Sequence, residues 1–194
     1  FIGQSRGGEM RPLFGRVHTV LGYAHRMTQS TAAITLAQLE IIRPQIVQRD
    51  AMIRLLSAEL GAISGITPLP IPAYQQSYSC WMAGFSIDPD AFTCDSDAFA
   101  AQLAEAGVAG IGTGRYYLMP AGLEFLQHHA DAQHFPFSPE TAARRYRYRA
   151  EECPTAQAFL ETFIRWSSFC EKYQPEHCRL LASMVRQVAE DNRR

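Results

Sequence analysis

The sequence predicts an α+β fold, and three observations carry that expectation. An apolar helical period runs from Thr28 to Gly61. An alternating, strand-like stretch covers Ser77 to Ile87. A helix pattern from Thr93 to Ala106 is followed by a short strand from Val108 to Gly112. A strand, a helix and a second strand in this order suit a small domain of helices packed on a sheet.

Each element has its own justification. Residues 1–20 show no clear period; Gly7-Gly8 and Pro12 read as loop. Thr28 is the expected N-cap of the first helix, whose Ala32, Ala33, Leu36, Leu39 and Ile42 recur at steps of three and four. Pro44 lacks an N–H, so we expect two helices, with Pro44 as the first residue of the second. Ile46, Val47, Ile53, Leu56 and Leu60 would form the buried stripe of that second helix, and Gly61 its stop. Pro68, Pro70 and Pro72 each bias the preceding residue to an extended conformation, which predicts a connector.

In the next stretch Tyr78, Cys80, Met82 and Gly84 alternate with Ser79, Trp81, Ala83 and Phe85, as on the two faces of a strand. Thr93 is the expected cap of the following helix and Gly107 its C-terminal stop. Residues 113–152 read as irregular and aromatic, the form of a functional loop or docking arm. Cys153-Pro154 opens a further helix carrying Phe159, Phe163 and Trp166. Pro175 opens the last, with Leu180, Leu181, Met184, Val185 and Val188 inward.

Composition excludes several classes of function. A chain with 47% hydrophobic and 19% charged residues is globular, and a formal charge of -1 supplies no global field for nucleic acid or an acidic membrane. No apolar run is long enough to span a bilayer, so membrane association is not expected. Five cysteines without a CxxC pair read as reduced thiols of a cytoplasmic protein, with no metal site. Lys172 is the only lysine, so chemistry that needs a Schiff-base amine has one candidate. The first residue is Phe1 rather than Met, which reads as a chain that has been trimmed or is a piece of something longer.

The segment Leu21-Gly22-Tyr23-Ala24-His25-Arg26-Met27-Thr28 is followed by Ala32-Ala33, then Ala37-Gln38-Leu39-Glu40, then Gln48-Arg49-Asp50 and Arg54. This series resembles the DegT/StrS family of sugar aminotransferases. The downstream order resembles it too: a Pro-rich segment, a strand starting Ser77-Tyr78, a helix ending Glu105-Ala106-Gly107-Val108, a glycine-rich strand, an aromatic loop and a Cys153-Pro154 helix. The likeness covers nearly all of residues 21–190.

The resemblance implies the small C-terminal α+β domain of the fold-type-I pyridoxal-phosphate transferase architecture, preceded by the long helices that join it to the large domain. Residues 1–27 would be a remnant of the large cofactor-binding domain, 28–61 the connecting helices, and 62–194 the small domain. It implies transfer of an amino group to a keto-sugar or keto-cyclitol, with pyridoxal phosphate as cofactor in the complete enzyme. The family's Schiff-base lysine would precede residue 21, so the chain is expected to be inactive alone. The alternative is a non-catalytic subunit that completes the site of a separate lysine-bearing chain. Either a homodimer or such a partner is implied.

The same resemblance suggests Tyr23, His25 and Arg26 as residues near a cofactor, since a guanidinium grips phosphate or carboxylate with a planar fork. The plain alternative is a local ion pair at a helix start. The family's asparagine that reaches toward the partner's cofactor phosphate falls at Ala24, which cannot donate that hydrogen bond. Arg115, Tyr116 and Tyr117 would face a nucleotide-sugar or cyclitol substrate; an exposed loop packed on its own rings is the competing view.

Gly107, Gly110, Gly112 and Gly114 match neither a phosphate loop nor a dinucleotide fingerprint, and a helix stop before a tight strand fits better. Arg144 to Arg149 interleaves arginine with tyrosine. That pattern suits nucleic acid, a diphosphate or a subunit interface, against a solvated edge as the commoner case. His128, His129 and His134 match no metal motif and read as surface residues.

Overall fold

A computed structural model describes residues 27–113 and 123–194 of the chain. The chain divides into two compact units at Pro44 and Gln45.

In the first unit, the described residues form the opening turns of helix α1, Gln29–Gly61. The Thr28 hydroxyl accepts the Thr31 N–H at 3.2 Å, which is the cap expected there. Ile34, Leu36, Leu39, Ile41 and Ile42 are all exposed. The Leu36–Leu39–Ile42 periodicity therefore marks a helix face without marking a core. The expectation of two helices is corrected, since α1 runs through Pro44 without a break. Proline inside a helix forgoes one hydrogen bond and costs about 3 kcal/mol. Thirty-three residues of otherwise continuous helix can absorb that loss.

The second unit is built on a four-stranded antiparallel sheet of β1 (Ile66–Pro68), β2 (Ala83–Ile87), β3 (Ile111–Gly112) and β4 (Phe163–Trp166), in the order β1-β2-β4-β3. Its register places Ile66 opposite Ile87, Phe85 opposite Ile164, and both Ala83 and Ile111 opposite Trp166. These residues share one face, because directly paired side chains project to the same side of a sheet. Against it lie α2 (Ser96–Glu105), with Phe99 and Leu103, and α5 (Pro175–Asp191), with Leu181, Val185 and Val188. Met52, Ile53, Leu56 and Leu60 of α1 join the same buried cluster. Phe99 is fully buried, edge-on to Phe85 at 6.3 Å and to Phe92 at 5.4 Å.

The remaining helices are α3 (Glu124–Asp131) and α4 (Pro154–Thr162), with a short 3-10 turn at Ala150–Glu152. The mixed helix-and-sheet expectation holds, and the structure amends several elements. The helix opened by Pro154 ends at Thr162, and Phe163–Trp166 is a central strand. Phe163 and Ile164 are both buried, so this strand shows a run of bulky residues instead of an alternation.

The strand expected from Ser77 is confined to Ala83–Ile87. Before it, the Tyr78 N–H goes to the Asp50 carboxylate at 2.7 Å and the Cys80 carbonyl accepts from Arg49 at 3.1 Å, so side chains take the place of a ladder. Asp95, not Thr93, caps α2, through the Ala98 N–H at 2.8 Å. Thr93 instead donates to the Asn192 carbonyl. Val47 and Leu180, expected inward, are 68% and 61% exposed.

Phe99→Ala is expected to lower stability by about 3 to 5 kcal/mol, because the vacated ring leaves a cavity between strand and helix that cannot fully collapse. Urea unfolding followed by circular dichroism measures this; a loss under about 1 kcal/mol would show that Phe99 does not anchor the core.

Candidate functional site

Tyr23, His25 and Arg26, and likewise Arg115, Tyr116 and Tyr117, lie outside the described residues. The structure does show how the second group is approached. Strand β3 ends at Gly112, and the hydroxyl of Thr113 donates to Asp97 on α2. The chain is thus tied to a helix two residues before Arg115.

The polar residues of α1 that continue the family-like pattern are engaged in structure. Gln48 donates to the Tyr173 carbonyl at 2.8 Å. Arg49 donates to the Cys80 carbonyl and forms an ion pair with Glu171. Asp50 accepts both the Tyr78 N–H and the Arg54 Nε, the latter at 2.9 Å, and Arg54 also reaches the Gln75 carbonyl at 2.9 Å. About two helical turns, Gln48 to Arg54, therefore hold two loops, residues 75–80 and 171–173. The Glu171 carboxyl is held below the usual range by its own backbone amide and by Arg49.

The glycine-rich segment serves packing. Gly107 has φ +100°, the left-handed conformation of a helix stop, and Gly110 has φ +75°. A Cβ on Gly110 would lie 2.0 Å from Ser168 Oγ, while the Gly110 carbonyl accepts the N–H and hydroxyl of Ser167. On the sheet face away from the core, Arg165 sits between Gly84 and Gly112 on the flanking strands. Its Nε is buried without a hydrogen-bond partner among the described residues. The sequence signals neither the central position of Arg165 nor its glycine neighbours, because Phe163–Trp166 continues the apolar pattern of the helix before it.

Lys172 follows β4 on the loop before α5, where its exposed side chain lines a cavity of about 370 Å³ with Ser168, Cys170, Tyr173 and His177. No carboxylate stands on that wall. Glu171 beside it is engaged by Arg49. A pyridine-based aldehyde cofactor needs an amine shielded from water and a carboxylate for its ring nitrogen. The described residues do not fit it by themselves. Burial pushes the Cys178 thiol up to about 11 and raises that of Cys80, so neither is a thiolate nucleophile at neutral pH. His129 and His134 meet edge to face at 5.7 Å, and His129 Nδ1 lies 3.1 Å from the Phe135 carbonyl oxygen. Among the described residues no group of three or more His, Cys, Asp or Glu could hold a metal ion. None of the described helices is long and apolar enough to cross a membrane.

The side chains of the arginine run gather at a cavity. Arg144, Arg145 and Arg147 line a space of about 350 Å³ together with Tyr146 and Glu152. Arg149 is engaged elsewhere, by Asp131 at 2.7 Å.

Comparison with known proteins gives two findings. The model of the DegT/DnrJ/EryC1/StrS aminotransferase family matches residues 3–150. Among solved structures, the chain resembles 3-amino-5-hydroxybenzoic acid synthase at 22% identity and TM-score 0.60, over 97% of this chain and 44% of that one. It resembles the pyridoxal-phosphate form of Spr1654 from Streptococcus pneumoniae, described as a sugar aminotransferase, at 18% identity and TM-score 0.60, over 97% and 41%. It also resembles the aminotransferase TlmJ from Streptoalloteichus hindustanus at 15% identity and TM-score 0.55, over 98% and 42%. At such identities the likeness is one of fold. The chain spans less than half the length of each. No curated protein matches the sequence.

Asp50→Ala removes the acceptor of a backbone N–H and of Arg54, and is expected to cost about 1 to 3 kcal/mol in urea unfolding. An unchanged midpoint would show that water replaces the carboxylate freely. Glu171 gives a pH signature. With its folded pKa lowered from 4.5, its contribution is complete above that value and is lost as pH falls through the lowered one. Glu171→Gln should therefore be destabilising at pH 7, with the gap to the parent closing in acid. A gap that persists at pH 2 would contradict this.

Proposed function

Because the chain belongs to the DegT/DnrJ/EryC1/StrS aminotransferase family, we propose that it is the C-terminal portion of a pyridoxal-phosphate-dependent aminotransferase acting on a keto-sugar or keto-cyclitol. The observation that carries this reading is the family match over residues 3–150, on a fold that also overlays solved aminotransferases. On this reading residues 62–194 form the small domain, 28–61 connect it to the large one, and residues 1–27 are a remnant of the large domain. The amine that holds the cofactor comes from outside these residues, since Lys172 is the only lysine and its setting is an exposed loop.

The roles left to this chain are binding and shape. Tyr23, His25 and Arg26 would approach the cofactor phosphate of a neighbouring subunit. Arg115, Tyr116 and Tyr117 would face the acceptor substrate, with Thr113 and Asp97 fixing the exit of β3 from which they depart. The exposed apolar turns of α1, with Ile34, Leu36 and Leu39, supply a surface for the large domain. Ala24, at the position of the family's asparagine, favours a second reading. In it the chain is a non-catalytic subunit completing the site of a lysine-bearing partner.

Incubated with pyridoxal phosphate and reduced with borohydride, the isolated chain is expected to carry no cofactor adduct by mass spectrometry. An adduct on Lys172, with aminotransferase activity in the chain alone, would overturn the proposal. Activity restored by fusing a lysine-bearing upstream half supports the fragment reading. Activity restored only by a separate full-length chain supports the partner reading.

A further inference from the structure

Tyr173 sits within a ladder of rings. It stacks on Phe169 at 5.3 Å with 9° between the planes, and meets Trp166 and His177 edge to face at 4.9 Å and 5.8 Å. Rings that fix one another form a wall that needs little ordering when a guest arrives. Tyr173 and His177 line two adjoining cavities of different chemistry.

The smaller, of about 190 Å³, is apolar, with Trp166, Leu180, Leu181 and Met184 on its wall. Leu180, which the spacing of α5 places inward, thus borders a hollow and stays 61% exposed. The polar groups here are already satisfied. The Trp166 indole N–H donates to the Ala109 carbonyl at 2.9 Å, and the Gly107 and Val108 N–H groups close the end of α2. Such a wall offers a guest contact area and ring edges, but few hydrogen bonds.

The larger cavity, of about 370 Å³, adds Ser168, Cys170 and Lys172. Among the described residues no carboxylate lies within ion-pair distance of the Lys172 amine. His177 Nδ1 accepts the Gln174 N–H at 3.0 Å, which leaves the proton of the neutral ring on Nε2. An amine, a hydroxyl and an imidazole therefore supply donors beside an apolar hollow. One unmatched positive charge suits one negative charge. No guanidinium fork is present for a phosphate dianion.

Both cavities lie at one end of the sheet, where Gly107–Ala109 lead into β3 and Ser168 follows β4, since these strands run antiparallel. Thr113 leaves β3 at the other end.

We propose that Trp166, Tyr173, His177 and Lys172 form a binding site for a small aromatic monocarboxylate, its ring in the apolar cavity and its carboxylate at the Lys172 amine. A hollow of mainly apolar and aromatic wall with a few convergent polar groups is the usual form of a small-molecule site. The same apolar wall disfavours a charged pyridine ring bearing a phosphate. The proposal does not rest on the aminotransferase reading.

The test titrates the full 194-residue chain with indole-3-acetate, by calorimetry at low salt. One molecule is expected to bind per chain. The uncharged indole-3-acetamide should bind about fivefold more weakly, the loss of one solvent-screened ion pair. Lys172→Ala should weaken the acid by that factor and leave the amide unchanged, and Lys172→Arg should retain the acid. Leu180→Glu puts a carboxylate on the apolar wall from an exposed position and should weaken the acid by about tenfold. Arg43→Ala removes the same charge from an exposed position of α1 and should change nothing. A thermal melt of each variant verifies the fold. Absence of saturable indole-3-acetate binding, or an equal loss in Lys172→Ala and Arg43→Ala, overturns the proposal. So does tighter binding of octanoate, which would assign the hollow to an aliphatic chain. The titration contains no cofactor and reads no amino transfer, so its failure leaves the aminotransferase reading standing.

Discussion

Strand β4 hydrogen-bonds on both edges, to β2 on one side and to β3 on the other, and the sheet of the second unit exists only through it. Ile164 and Trp166 then supply the floor against which α2 and the other helices bury their apolar faces. The indole N–H of Trp166 donates to the Ala109 carbonyl at 2.9 Å, which draws the approach to β3 onto the same strand. Gly84, opposite Arg165, leaves room for the Phe163 ring; a Cβ there would lie 2.4 Å from it. Four residues thus decide the topology, and a glycine on the neighbouring strand is part of the condition.

A second constraint is polar. The segment Gln48–Arg54 of α1 holds residues 75–80 and 171–173, loops that have little regular structure of their own. Loops satisfied by side chains cost less than loops with orphaned amides, because a buried unpaired group forfeits its hydration. The family-like arginines and Asp50 therefore act as architecture, and they free other residues for chemistry. The arginines at 144, 145 and 147 differ: their positions are fixed by aromatic packing while their charges stay unmatched by any described carboxylate.

The sequence carried the helices well wherever punctuation was local. Pro175, Gly61 and Gly107 mark real ends, and Leu56 and Leu60 are buried as their spacing implies. It failed where tertiary partners decide. Phe163–Trp166 reads as helix because a strand buried on both faces has no period of two, and only its neighbours reveal it. Ser77–Met82 alternates like a strand but lacks a partner, since Asp50 and Arg49 occupy its backbone groups. Pro44 signals a break that the long α1 helix overrides. Of the site, the arginine run was visible as a motif. Its cavity and the sparing of its charges were not, because both depend on Phe137, Asp131 and Glu152 arriving from other parts of the chain.

The strand order has a consequence for biosynthesis. A ribosome delivers β2 long before β4, and Ala83 pairs with Trp166. Until the later segment clears the exit tunnel, β2 has β1 on one edge and nothing to complete the other. During that interval the edge of Ala83–Ser86 that later pairs with β4 stays open, so the nascent chain is exposed to strand-to-strand aggregation. Slow elongation over the intervening stretch would lengthen the hazard, and a chaperone that shields apolar segments on the ribosome would shorten it.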